Sequence, residues 1–272
     1  MIQFLRAYVL VGMCLALVAC GTSEDDIQVE EPVDTLYNKA ADALDSGDYV
    51  EATKYFEEVE RQHPYSKWAT QAQLMAAFSS YQDQRYDEAI LALDRFIELH
   101  PGNPDIDYAY YLKALSYYEQ ISDVRRDQEM TKQSLEALST LINRFPQSKY
   151  ARDALLKRDL AEDHLAGKEM EVGRYYLGQG QFNAAINRFQ EVISKYQTTT
   201  HTPEALHRLV ECYLSLGLKQ QATRIASVLG YNYPGSNWYE RSYALLDDQA
   251  RAQLDDERGM VERTLDSLLK PE

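Results

Sequence analysis

Ala89-Ile90-Leu91-Ala92-Leu93-Asp94-Arg95-Phe96-Ile97-Glu98-Leu99-His100-Pro101 is the stretch on which the fold turns. Ala89, Ile90, Leu93, Phe96 and Ile97 stand at i, i+1, i+4, i+7 and i+8, the spacing of a helix with one buried stripe. Pro101 lacks a backbone donor and stops that helix. The pattern recurs as Ser134, Leu135, Leu138, Leu141, Ile142 and as Ala185, Ile186, Phe189, Val192, Ile193. Five segments align on a small residue: Ala52, Ala89, Ser134, Ala185 and Ala222. Twelve positions later come Pro64, Pro101, Pro146, Gln197 and Pro234, preceded by the rings of His63, His100, Phe145, Tyr196 and Tyr233. Twelve positions earlier stand Ala40, Ala77, Gly173 and Val210. Ala114 takes that place in the third unit if eight extra residues separate its helices.

Each unit therefore reads as two helices in close contact through small residues. Turn signals with an aromatic residue join them: Gly47-Asp48-Tyr49, Gln84-Arg85-Tyr86 and Gly180-Gln181-Phe182. Pro64 and Pro101 are 37 residues apart, as are Gln197 and Pro234; the two intervals between are 45 and 51. The extra eight residues fall around Ser122–Met130, a polar stretch that predicts a loop. The extra fourteen fall within Tyr150–Gly178, a strongly helix-forming stretch that predicts a lengthened helix disturbed at Gly167 and Gly173.

Gly173, Tyr176, Ala185 and Phe189, with Ala52, Phe56 and Pro64, resemble the tetratricopeptide pattern of Gly-x2-Tyr, Ala-x3-Phe and Pro. The period is longer than usual and the customary Trp is missing, so a generic array of helical hairpins stays open as the alternative. The expectation is an all-α, right-handed superhelical solenoid of five TPR-like hairpins over residues 33–246. Trp238–Leu246 is read as the capping helix. Residues 247–272 are read as a charged helical extension that projects.

Residues 1–19 form a targeting segment. Arg6 is its one charge, and Tyr8–Ala19 is almost unbroken apolar. Twelve helical residues span ~18 Å, too short for a ~30 Å hydrocarbon core, so the segment is a signal rather than a transmembrane span. Leu17-Val18-Ala19-Cys20 resembles a bacterial lipobox. The resemblance implies cleavage before Cys20 and a covalent lipid on it. With Cys14 removed and Cys20 acylated, Cys212 is left alone and forms no internal disulfide. Residues 20–32, rich in Asp and Glu, read as a flexible acidic tether.

Composition narrows the function. The chain has 272 residues, 28 Lys and Arg, and 43 Asp and Glu, for a formal charge of −15. Loss of the signal removes Arg6 and leaves −16. Such a chain repels phosphate backbones, which argues against nucleic-acid partners. The five histidines form no metal-protease motif, and His201 and His207, six apart, do not share a helix face. Gly178-Gln179-Gly180 is an interhelical turn, not a phosphate loop. No catalytic residue, metal ligand or cofactor is assigned beyond the lipid on Cys20, and an enzyme is disfavoured. Tyrosine, at 21 residues, is the abundant aromatic. Tyr108, Tyr110, Tyr111, Tyr117 and Tyr118 crowd one short helix; five rings in eleven residues cannot all face one way, and packing between repeats is the plain reading for most of them.

Lipobox, acidic tether and repeats together resemble the BamD (YfiO/ComL-type) family of lipoproteins of the outer-membrane β-barrel assembly machinery. The sharpest stretches are Asn103-Pro104-Asp105-Ile106-Asp107-Tyr108-Ala109-Tyr110-Tyr111, Phe145-Pro146-Gln147-Ser148-Lys149-Tyr150 and Ala185-Ile186-Asn187-Arg188-Phe189. The resemblance implies a scaffold anchored at the periplasmic face of the outer membrane. It would bind the periplasmic domains of BamA, with Arg188 at the contact, join other Bam lipoproteins, and recognise C-terminal signals of unfolded barrel proteins, extended aromatic-ended segments for which Tyr108, Tyr110, Tyr111, Tyr117 and Tyr118 could line a groove. Arg188 lies off the apolar stripe, so a solvated pair within its own repeat is the plainer reading. The competing function is a periplasmic TPR lipoprotein that organises peptidoglycan synthesis or pilus assembly.

Overall fold

A computed structural model describes residues 30–252 and 254–256, and every regular element among them is helical. Residues 1–19, read above as the signal, Cys20 and most of the stretch read as the tether lie outside the described residues. Ten helices pair into five hairpins: α1 Val33–Asp45 with α2 Tyr49–Gln62, α3 Lys67–Gln82 with α4 Tyr86–Leu99, α5 Ile106–Tyr118 with α6 Glu129–Arg144, α7 Ala151–Gly178 with α8 Phe182–Lys195, and α9 Thr202–Ser215 with α10 Lys219–Asn232. A shorter helix, α11 Asn237–Leu245, packs on α9 and α10. Each helix touches its neighbours in sequence, so the architecture is a linear stack. Odd-numbered helices of the first four hairpins also touch one another in turn, as α9 does α11, which puts them on the inner side of the stack.

The small residues do what their spacing requires. Ala40, Ala52, Ala77, Ala89, Ala114, Ala185 and Ala222 are all fully buried between helices. Ser134 keeps the small size in the third hairpin, but its buried hydroxyl has no hydrogen-bond partner among the described residues. The stripe residues Phe56, Phe96 and Phe189 are buried to within 1% exposure. A side chain of that size buried in full is worth ~1.5–3 kcal/mol of transfer free energy.

Four hairpins turn the same way. Gly47, Gln84, Gly180 and Gly217 have φ of 82°, 60°, 71° and 73°. At each, the residue's own N–H and that of the next residue close back on the preceding helix, as in Gln84 N–H to Tyr81 O (3.0 Å) and Arg85 N–H to Ser80 O (2.9 Å). The left-handed geometry suits Gly and strains Gln84 through its Cβ. Gln84→Gly is therefore expected to raise stability by roughly 0.5–1 kcal/mol, read as a shifted denaturant midpoint with unchanged slope. The third hairpin instead closes through the predicted polar loop, over residues 119–128. At the other ends, His63, His100, Phe145, Tyr196 and Tyr233 all adopt φ between −126° and −136°. Four of them precede proline, which forces the residue out of the helical region. Tyr196 does the same before Gln197.

Three expectations are corrected. The long helix α7 runs 28 residues without a break, so Gly167 and Gly173 do not disturb it. They admit neighbours: a Cβ on Gly173 would lie 2.4 Å from the Phe189 ring, and one on Gly167 would lie 3.2 Å from the His201 ring. The end of the tether is held rather than free. Glu31 N–H donates to Gln62 Oε1 at 2.8 Å, and His63 Nε2 donates to the Glu31 carbonyl at 2.6 Å. The first part of the extension does not project. Residues 248–252 and 254–256 are helical, and Leu254 is buried with Leu246 against Val210, Ala222 and Ala226. Tyr243 donates to Asp255, Arg251 donates to the Tyr243 carbonyl, and Lys219 pairs with Asp247.

Candidate functional site

Helical geometry divides the five candidate tyrosines. Tyr108, Tyr111 and Tyr118 are spaced by three and seven residues and share one side of α5; Tyr110 and Tyr117 lie on the other. Tyr110 packs on Phe145 at a ring distance of 5.4 Å and accepts from Arg144 at 2.7 Å. Lys113, on that same side, pairs with Asp94 of α4. Tyr110 therefore faces the even-numbered helices, and Tyr117, seven residues on, lies on that same side of α5, away from the side shared by Tyr108, Tyr111 and Tyr118.

The first side forms an aromatic strip on the inner helices. Tyr111 stacks on Tyr150, centroids 4.7 Å apart and planes 14° from parallel. Tyr108 lies 5.3 Å from Tyr150 and 6.5 Å from Phe78. Tyr81, at the end of α3, meets Tyr86 at 5.7 Å. The rings thus come from three consecutive hairpins. Polar groups finish the strip: the Tyr111 hydroxyl donates to Asp153 Oδ2 at 2.6 Å, and Lys157 pairs with Asp153 at 3.2 Å. The Lys157 ammonium lies over the Tyr118 ring at 5.4 Å.

Ionisation follows this packing. Burial, then Tyr150 and Tyr81, pushes the Tyr108 phenol up to about 12. Burial, then Glu119 and Tyr86, pushes Tyr81 up to about 12. Tyr111 is raised first by burial and then by Asp153. Asp153 is lowered chiefly by the Tyr111 hydrogen bond, with Lys157 adding to it. The phenols of Tyr81, Tyr108 and Tyr111 are neutral at any physiological pH, so the strip offers ring faces and hydroxyls beside the Asp153 carboxylate.

Tyr118 borders a second feature. With Ile121, Val124, Leu160, Asp163, His164 and His201 it lines a cleft of about 490 Å³ beside the loop of the third hairpin. Both histidines there have structural partners: His164 Nε2 donates to the Ser122 carbonyl at 2.7 Å, and His201 lies 3.6 Å from Asp163. His63, His100 and His207 are likewise held, by the Glu31 carbonyl, Gln73 and Ser242.

Arg188 is exposed on α8, off the stripe formed by Ala185, Ile186, Phe189 and Val192. Its Nη1 donates to Glu169 Oε2 of α7 at 3.1 Å, within the same hairpin. Its side chain is 45% exposed, so that pair leaves much of the guanidinium open to a further partner.

Sequence reasoning missed Tyr81, Tyr150, Asp153 and Lys157. One signal pointed to Tyr150. Four residues beyond the helix-stopping proline a large ring recurs as Trp68, Tyr150 and Trp238. No local pattern marked Asp153 or Lys157, whose role depends on the hairpin before them.

These features define a class: a stacked-hairpin scaffold whose inner strip presents aromatic rings from three units. A family model described as YfiO, outer membrane lipoprotein, matches residues 29–229. The chain is 53% identical over 243 residues to the outer membrane protein assembly factor BamD of Caulobacter vibrioides, spanning 89% of this chain and 80% of that one. It is 48% identical to the protein of that name from Rickettsia prowazekii, spanning 90% and 96% of the two chains. Among solved structures, the TPR2AB domain of yeast Sti1 in a pHSP90 complex is similar at a TM-score of 0.43 and 13% identity, covering 87% of this chain and 88% of that one. The chain belongs to the YfiO family of outer membrane lipoproteins.

Proposed function

We propose that this chain is a non-enzymatic scaffold in the assembly of outer membrane β-barrel proteins. A lipid on Cys20 holds it at the periplasmic face of the outer membrane. The inner strip receives the C-terminal signal of an unfolded barrel protein, and the face around Arg188 binds the periplasmic domains of BamA, with other Bam lipoproteins joining the complex. The observation that carries this reading is the strip itself. Tyr81, Tyr108, Tyr111 and Tyr150 come from three hairpins and stand beside the Asp153–Lys157 pair. An extended segment laid across it would stack its rings on theirs and find hydroxyl and carboxylate partners along its length.

Arg188 provides the test of partnership. Its pair with Glu169 is half-exposed, and such pairs contribute ~0–1 kcal/mol to stability. Arg188→Glu is therefore expected to leave helical content and melting temperature close to those of the parent. A desolvated arginine–carboxylate contact with BamA would cost ~2–5 kcal/mol to break, so co-purification with BamA should fall at least tenfold. A matching charge reversal on BamA should restore it. Unchanged recovery would remove Arg188 from the interface.

A further inference from the structure

Pro64-Tyr65-Ser66-Lys67-Trp68 joins the first hairpin to the second; Trp68 on Tyr37 repeats the packing of Tyr150 on Tyr111 and of Trp238 on His207, but Tyr65 has no such counterpart. At the position of Tyr65 the other units carry Gly102, Gln147, Thr198 and Gly235. The turn therefore needs no ring, yet Tyr65 places one there that is 102% exposed. Trp68, one turn on, is 37% exposed and rests on Tyr37 at a centroid distance of 4.6 Å. Tyr37 in turn lies edge-on to the buried Phe56 at 5.4 Å, which gives the indole a rigid backing. Lys67 is exposed and has no ion pair among the described residues. From Arg61 to Gln82 the sequence contains no carboxylate, although the chain carries a formal charge of −15. The acids that bound this run are paired, Glu60 with Arg95 and Asp83 with Arg85, and at the end of the tether Glu31 pairs with Lys39 while Glu30 lies 3.5 Å from His63.

This patch sits where the tether leaves the stack. Glu31 is bonded to Gln62 and His63, two residues before Tyr65. Ten residue steps separate Cys20 from Glu30, a reach of at most ~36 Å. If Cys20 carries lipid, the start of the first hairpin lies within that distance of the bilayer.

We propose that Tyr65, Lys67 and Trp68 form a membrane-contacting face that rests on the headgroup region of the bilayer holding the Cys20 lipid. The inference builds on the lipid anchor of the preceding section. Tyrosine and tryptophan each present an apolar ring with a polar tip, the form that suits the headgroup boundary. Lys67 adds attraction to anionic lipid. Anchor and face together fix the orientation as well as the location of the scaffold. The inner strip is then held in one direction relative to the membrane instead of tumbling on a tether.

The test uses the lipidated chain isolated from membranes and reconstituted into vesicles of phosphatidylethanolamine and phosphatidylglycerol with acyl chains brominated near the headgroup. The chain has two tryptophans, and Trp238 lies at the far end of the stack in α11, where it serves as the internal reference. Tryptophan emission is expected to be quenched in the parent and unquenched in Trp68→Phe. Tyr65→Ser combined with Lys67→Glu should lower the quenching roughly two- to fivefold at unchanged helical content. If the chain sediments with vesicles but Trp68 is not quenched, the anchor stands and the contact face is overturned. Quenching unchanged in the double variant would also overturn it, because the tether alone would then bring Trp68 to the lipid. If the chain fails to sediment with vesicles, the anchor itself fails and the face fails with it.

Discussion

Ala89→Trp is expected to lower the stability of the chain by about 3 kcal/mol or more. Ala89 is fully buried on the side of α4 that packs on α3. Along the same stripe Ile90 is buried, and Leu93 and Phe96 already fill the space between the second and third hairpins. An indole there has no free volume, and close-packed interiors do not yield to it. The melting temperature should fall by roughly 6–12 °C for a chain of this size. The stack couples only neighbouring units, so hydrogen exchange should show the loss centred on α3 and α4 and weakest at α9 to α11. A variant that melts like the parent would mean that α3 and α4 do not approach through Ala89.

Gly173→Ala should also destabilise, against the ordinary trend for helices. Inside a helix, alanine is favoured over glycine by up to ~1 kcal/mol. Position 173 reverses the sign. A Cβ there would lie 2.4, 2.8 and 2.9 Å from three atoms of the Phe189 ring, and Phe189 is fully buried. That ring cannot swing aside without displacing Val192, Met170 and Leu209 from the same cluster. The expected net loss is about 1–3 kcal/mol. Two comparisons separate crowding from backbone effects. Gly178→Ala, at the end of the same helix with open space around its Cβ, should be neutral or stabilising. Combining Gly173→Ala with Phe189→Leu should be milder than the sum of the two single changes by ~1 kcal/mol or more. Additive losses would show that the ring is not the obstacle.

The two glycines of α7 illustrate where sequence reasoning stops. Composition predicted a lengthened helix over 150–178, and the structure has one from Ala151 to Gly178. Glycine carries two meanings in a sequence, a weak point in a helix or a place of close approach, and only the partner distinguishes them. For Gly173 the partner is Phe189, sixteen residues away on the next helix. Tyr108, Tyr110, Tyr111, Tyr117 and Tyr118 show the same limit. Their spacing alone states that they cannot face one way. Which side matters follows from Tyr150, Asp153 and Lys157, supplied by the following hairpin.

By itself the sequence determined the helices, their pairing and their ends. Helix periodicity, a left-handed glycine turn and a stopping proline are all local, because each is set by contacts within a few residues or by the backbone geometry of one. That is why five units are legible from Ala52, Ala89, Ser134, Ala185 and Ala222 in the sequence alone. Only the tertiary structure decided which rings meet across hairpins, that Glu31 is pinned to His63, and that Leu254 folds back onto Val210 and Ala222. Those outcomes depend on how each hairpin is rotated and displaced against the next. That rotation is set by the summed packing of two faces, and no single stretch of the chain encodes it.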